Sequence, residues 1–220
     1  DLGVLSPRGT NTAINSFTGA TFHSGSGGNT DSRWAQVYQY MRKTNVVLEY
    51  IHYCEQLSQA KMAQYVGEAK LHKALLHYEM LKRYGGITIM DDLFEGGNIE
   101  LPRNTFDECV EYIVRLCEEA AGGLPLRYPD NDYGRLTKGA ALGLKAKVLL
   151  YAASPLFNEN PIAGTTEIQR YASPDDRRWE RAAKAALDVI NLRMPNGAPA
   201  YELFPSYERL FFTREGNHEF

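Results

Sequence analysis

The feature that most limits the fold is an apolar rhythm of three or four residues that recurs in separate blocks from Trp34 onward. That period lays side chains along one stripe of an α-helix and does not suit the two-residue alternation of a strand. Trp34, Tyr38, Met41, Asn45, Leu48 and His52 make the first stripe, which predicts a helix over about 34–56. Asn45 sits inside that stripe, so its amide is expected to find partners on a neighbouring segment.

A second block predicts a helix from about Ser58 to Tyr84 with apolar residues on two flanks, as an inner helix requires. Gly85 and Gly86 are placed to end it, and Ile87–Met90 reads as a short extended segment. The third block opens on Thr105-x-x-Glu108, a capping box, and runs through Phe106, Cys109, Ile113, Cys117 and Ala120 until Gly122, Gly123 and Pro125 stop it. A fourth helix is expected over about Thr137–Ala153, with Gly139, Ala140, Gly143 and Ala146 allowing close approach of a neighbour. In the fifth, Ser173 would cap, Pro174 would take the first helical position and Asp176 would complete the box, before an apolar set of Trp179, Ala183, Ala186 and Ile190 ending near Leu192. Beyond it, Tyr201, Phe204, Tyr207, Leu210 and Phe211 form an aromatic tail, expected to need an apolar partner in sequence beyond this chain.

Helices in antiparallel pairs point to an all-α fold of tetratricopeptide-like hairpins with long loops and minor short strands, although no two segments align well enough to prove a repeat. Residues 1–33 lack periodicity, and His23–Ser32 is rich in turn formers, so the expected division is an irregular N-terminal loop region, 1–33, followed by a helical domain, 34–220. With 24 basic and 27 acidic residues the chain carries a formal charge of −3, which disfavours a nucleic-acid partner. The most apolar run, Val148–Ala153, is too short to span a bilayer, and the polar start is not expected to act as an export signal. Cys54, Cys109 and Cys117 include no CxxC pair and read as small buried hydrophobes.

Motifs for metal, nucleophile or phosphate chemistry are absent, so no catalytic residue, metal ligand or cofactor is expected. Glu68 and His72 read as a hydrogen-bonded pair, His77 as a packing residue, and Asp91, Asp92 and Glu95 as a solvated loop rather than the opposed carboxylates of a glycosidase. The candidate contact surface is 15–34. There Phe17, Phe22, His23, Asn29, Asp31, Arg33 and Trp34 combine flat apolar faces with hydrogen-bonding groups, the mixture a sugar requires.

Taken in order, Trp34-x3-Tyr38 leading to Asn45, GEAKLHKALLHYEMLKRYGGI from Gly67, LPRNTFDECVEYIV from Leu101, GRLTKGAALGLKAKVLLYAASPLFN from Gly134, the Trp179 helix and Asn217-x-Glu219 resemble the SusD and RagB family of outer-membrane nutrient-binding lipoproteins of Bacteroidetes. The resemblance implies a non-enzymatic protein that captures an oligosaccharide or another nutrient at the cell surface and acts as the lid of a SusC-like TonB-dependent transporter. It also implies a lipid anchor absent from this sequence, and a domain incomplete at its C-terminal end. Gly67, Glu68, Ala69, Arg83, Tyr84, Gly85, Gly86, Gly134, Arg135 and Lys138 fall on family motif positions and are assigned to the scaffold. The competing readings are a tetratricopeptide-like scaffold that binds only protein and a helical glycoside hydrolase that would depend on Asp91 or Asp92.

Overall fold

The computed structural model describes residues 33–93, 100–159 and 163–212, and among them all regular structure is helical. The elements are α1 (Trp34–Tyr50), α2 (Gln59–Tyr84), α3 (Phe106–Gly123), α4 (Lys138–Ala153), a four-residue α5 (Pro155–Asn158), α6 (Arg177–Ile190) and a four-residue α7 (Tyr207–Leu210). The chain divides into two units, Asp1–Tyr40 and Met41–Phe220, so α1 runs across the division.

Helix starts follow local chemistry where a cap is available. Ser58 Oγ accepts from the Lys61 amide, Thr137 Oγ1 from Ala140, and Thr105 with Glu108 closes the full reciprocal box. The α6 start departs from expectation. Ser173 does not cap it and Asp176, at the cap position, makes no side-chain cap bond. Instead the buried Asn158 clasps the preceding turn: its Nδ2 donates to Asp175 O at 3.0 Å while its Oδ1 accepts from the Asp175 amide at 2.9 Å. The local cap comes from Asp175 in place of Ser173: its Oδ1 accepts from the Arg177 amide at 3.0 Å, while Asn158 satisfies both backbone groups of Asp175.

In the second unit, α2 packs on α3, α3 on α4 and α4 on α6. The α2–α3 crossing is close: a Cβ on Gly123 would lie 2.4 Å from Ala63 O, and one on Gly67 would lie 3.0 Å from Ala120 O. The small residues that set helix approach are therefore here rather than along α4. Gly139 instead lies under the Tyr201 ring, and a Cβ on Gly143 would meet nothing within 4 Å. An aromatic cluster closes the core, with Phe106 stacked on Phe157 at 4.6 Å and Tyr171 edge-on to Phe106 at 5.2 Å.

Gly85 ends α2 at φ 70°, a conformation an L side chain would strain, and a Cβ there would press to 2.4 Å from Ile168 O. The following segment, 86–93, forms no strand and bends at Gly86 and Asp92, so the expected minor strand over Ile87–Met90 is not found among the described residues. Its bonds are mixed: Asn104 donates its amide to Ile87 O at 3.1 Å, and Ile89 N donates to the Asn104 side chain at 3.0 Å. A ladder needs repeated backbone pairing, which a single neighbouring side chain cannot supply. Of the cysteines, Cys109 and Cys117 are buried as expected, whereas Cys54 is exposed in the turn after α1. Among the described residues no helix is long and apolar enough to cross a membrane.

Candidate functional site

Of the candidate contact residues, Phe17, Phe22, His23, Asn29 and Asp31 lie outside the described residues. Arg33 and Trp34 are placed at the start of α1, where Arg33 O accepts the Val37 amide at 2.9 Å. Trp34 is half-buried, and its ring lies 5.2 Å from that of Tyr38 at an interplanar angle of 48°. Residues four apart on a helix meet, so this start presents two neighbouring aromatic rings. Planar apolar faces suit the C–H faces of a sugar.

Of the acidic residues after Met90, Asp92 is exposed as expected, Glu95 lies outside the described residues, and Asp91 is not simply solvated. Lys73 projects from α2 with its side chain only 2% exposed, and its Nζ lies 2.6 Å from Asp91 Oδ1, on a carboxylate 52% exposed. Tyr112 Oη, from α3, donates to the same oxygen, and Arg115 approaches Asp91 Oδ2 at 3.6 Å. Asn45 reaches the segment from α1, donating to Met90 O at 3.0 Å and Asp92 O at 3.3 Å. That meets the expectation for a polar residue in an apolar stripe. Partial burial raises the Asp91 pKa, but the bonds from Lys73 and Tyr112 and the charges of Lys73 and Arg115 outweigh it and hold the carboxyl below its usual range. A carboxylate stabilised in its charged form is a poor proton donor, which argues against Asp91 as a glycosidase acid.

His77 lies beneath this clamp with its ring 4.8 Å from that of Tyr112. Nδ1 donates to Lys73 O at 2.8 Å, while Nε2 is buried without a hydrogen-bond partner. Burial lowers the imidazole pKa to about 4, helped by the nearby Lys73 charge. Lys73 carried no sequence signal beyond an interrupted apolar flank. A lysine on a helix reads as solvent-facing, and only its distant carboxylate explains its burial.

A second polar assembly ties the loop before α4 to α2. Arg135 forks onto Glu68, Nε to Oε1 at 3.0 Å and Nη2 to Oε2 at 2.9 Å, with the Tyr65 and Tyr128 rings each 5.4 Å from the guanidinium. Tyr128 Oη and Gln64 Nε2 also donate to Glu68. Burial opposes ionisation of Glu68, yet these bonds and the Arg135 charge bring its pKa below the ordinary value. The expected Glu68–His72 pair does not form, because four donors from elsewhere occupy the carboxylate and His72 is exposed. These contacts accord with a scaffold role for Glu68 and Arg135.

An open cleft of about 540 Å³ lies between α3 and α6, lined by Asp107, Glu111, Tyr171, Arg178, Arg181 and Lys184 among others. Its charges are largely matched internally: Arg181 forks onto Glu111, and Arg178 sits 3.5 Å above the Tyr171 ring and donates to Ser173 O. Among the described residues no group of three or more His, Cys, Asp or Glu side chains is arranged to hold a metal ion.

Comparison with known proteins agrees with this architecture. The model of a SusD-like family, described as starch-binding and associating with the outer membrane, matches residues 10–150. A SusD-like protein of Bacteroides ovatus is 25% identical over 194 residues, covering 87% of this chain and 32% of its own length. The crystal structure of a SusD-like protein from Bacteroides fragilis is 30% identical with a TM-score of 0.58, over 73% of this chain and 27% of that one. A structure determined with xylogluco-oligosaccharide is 26% identical with a TM-score of 0.59, over 82% of this chain and 32% of its own. The chain thus spans about a third of the length of these relatives. With the family model matching well over half of its residues, the chain belongs to the SusD-like family.

Proposed function

We propose that this chain is part of a cell-surface glycan-binding protein that captures an oligosaccharide at the outer membrane without chemical conversion. The observation that carries the reading is the relative solved with xylogluco-oligosaccharide, which shares both sequence and fold with the chain over most of its length. The commitment of Asp91 to Lys73 and Tyr112 further supports a non-catalytic role. The contact surface is 15–34, where Trp34, paired with Tyr38, would stack on a sugar ring beside Arg33, joined by Phe17, Phe22, His23, Asn29 and Asp31. In the whole lipid-anchored protein, this capture would feed a SusC-like TonB-dependent transporter for which the protein serves as lid.

Affinity electrophoresis of the whole polypeptide that carries this chain, in gels containing xyloglucan and other soluble polysaccharides, tests the reading. Retention on at least one glycan, weakened about tenfold by Trp34→Ala and by Phe22→Ala, is expected, as the loss of roughly 1.4 kcal/mol of stacking would give. Unchanged retention in both variants would move the site elsewhere. Absence of retention on every glycan, with co-purification of the transporter intact, would favour a scaffold that binds only protein. Release of reducing sugar, abolished by Asp91→Asn, would make it a hydrolase.

A further inference from the structure

Among the described residues the basic side chains of Lys73 and Arg170 are buried, and they are provided for differently. Lys73 meets the Asp91 carboxylate. Arg170, in the turn before α6, is 4% exposed, and no carboxylate among the described residues pairs with it. Its Nη2 donates to Glu159 O at 2.5 Å, while Nε is buried without a hydrogen-bond partner. A guanidinium taken out of water with neither a counter-ion nor a full set of acceptors is costly, and an anion beside it would offset that cost.

A pocket of about 200 Å³ lies against Arg170, and its walls include Arg178, Ser173, Thr105, Asp107 and Glu167. Thr105 caps α3 and Arg178 lies in the first turn of α6, so the positive ends of two helix dipoles border the space. Arg178 is fixed there. Its Nη1 donates to Asn158 Oδ1 at 2.5 Å and to Ser173 O at 2.8 Å, and its guanidinium lies 3.5 Å over the Tyr171 ring. Nε and Nη2 of Arg178 and the Ser173 hydroxyl are left for a ligand.

We propose that this pocket binds the carboxylate of a uronate, a sugar of an acidic glycan, between Arg170 and Arg178. The planar donor forks of two arginines match a carboxylate. The space is larger than a bare ion needs and takes a sugar ring. Asp107 and Glu167, with no side-chain partners among the described residues, can accept from ring hydroxyls. They also repel a doubly charged sulfate or phosphate more strongly than a singly charged carboxylate. The choice of a sugar rests on the glycan-binding reading; the need for an anion rests on Arg170 alone.

Ligand-observed NMR titration of the whole polypeptide that carries this chain tests the site, at constant ionic strength. The probes are sodium galacturonate and glucuronate, their uncharged counterparts galactose and glucose, and sodium sulfate. At least one uronate should bind about tenfold or more tighter than its uncharged counterpart, as charge-assisted hydrogen bonds to the carboxylate would give. Ser173→Glu, which sets a carboxylate at the pocket wall, should abolish that preference. Arg170→Met should abolish it without lowering the denaturation midpoint, because the unpaired buried charge goes with it. Uronates bound no tighter than the uncharged sugars, a preference unchanged by Ser173→Glu, or sulfate competing as well as the uronates would each overturn the proposal. Loss of this site with uncharged glycans still retained in affinity gels would leave the glycan-binding reading standing, whereas retention of no polysaccharide at all would remove both.

Discussion

Helices α3 and α6 carry similar apolar periodicity and meet opposite fates. On α3, Phe106, Cys109, Val110, Ile113, Val114, Leu116, Cys117 and Ala120 are all buried, between α2 on one side and α4 on the other. On α6 Trp179, Leu187 and Ile190 are exposed, Val189 is half-buried, and only Ala182 and Ala185 are fully covered. Period reports that a helix has an apolar face. Whether that face is filled depends on how many neighbours the chain supplies, and the two helices differ in that supply.

The sharpest way to break the comparison is to truncate one residue on each helix. Phe106→Ala removes a fully buried ring from its stack on Phe157 and should cost about 3–5 kcal/mol, read as a lowered denaturation midpoint. Ile190→Ala should change the stability of the 220-residue chain by less than about 0.5 kcal/mol. Comparable losses would mean that the α6 stripe is already covered.

The Asp91 clamp extends the test to charges. Asp91→Ala leaves the Lys73 ammonium buried without its counter-ion and should cost about 3 kcal/mol. Lys73→Met should cost clearly less, because the carboxylate it abandons is half-exposed and keeps Tyr112 and the solvent. A reversed order in chemical denaturation would show that Asp91, not Lys73, is the group that cannot stand alone.

Beneath the clamp, His77 makes α2 sensitive to acid. The unfolded imidazole takes up a proton near 6.5 and the folded one only near 4, so the unfolded state binds more protons in that window. The contribution is fully present above pH 6.5 and is lost as pH falls toward 4. It reaches about 3 kcal/mol, and His77→Phe should flatten the urea-midpoint profile across that range. Asp91 adds a further loss at lower pH, since its folded pKa lies below the ordinary value of 3.8.

The smallest contrast is between the two helix starts. Thr105→Ala should cost about 1 kcal/mol by opening the α3 capping box, whereas Ser173→Ala should be near neutral because Ser173 does not cap α6. Equal effects in thermal denaturation would restore the Ser173 cap at α6.

Much of the fold was legible in advance for a local reason. The α2, α3 and α4 boundaries follow from caps and breakers within a few residues of each end, and the burial of Asn45 follows from its place in a stripe. The misreadings share one cause. Lys73 with Asp91 and Glu68 with Arg135 are 18 and 67 residues apart, and each displaced a plausible local reading, a solvated Asp91 and a Glu68–His72 pair; at α6 Asn158, 17 residues from Asp175, holds the turn in which Asp175 rather than Ser173 takes the Arg177 amide. Of the proposed contact surface, residue chemistry singles out Trp34, and the helical turn brings the Tyr38 ring to 5.2 Å from it.

Periodicity and capping by themselves determined that this chain is a series of amphipathic helices and where most of them begin and end, because those choices are made by side chains within one or two turns. Tertiary structure alone decided which apolar faces are filled, which carboxylates are neutralised and which glycines are pressed against a neighbouring backbone. Those outcomes are set by contacts between residues distant in sequence, whose pairing has no local trace.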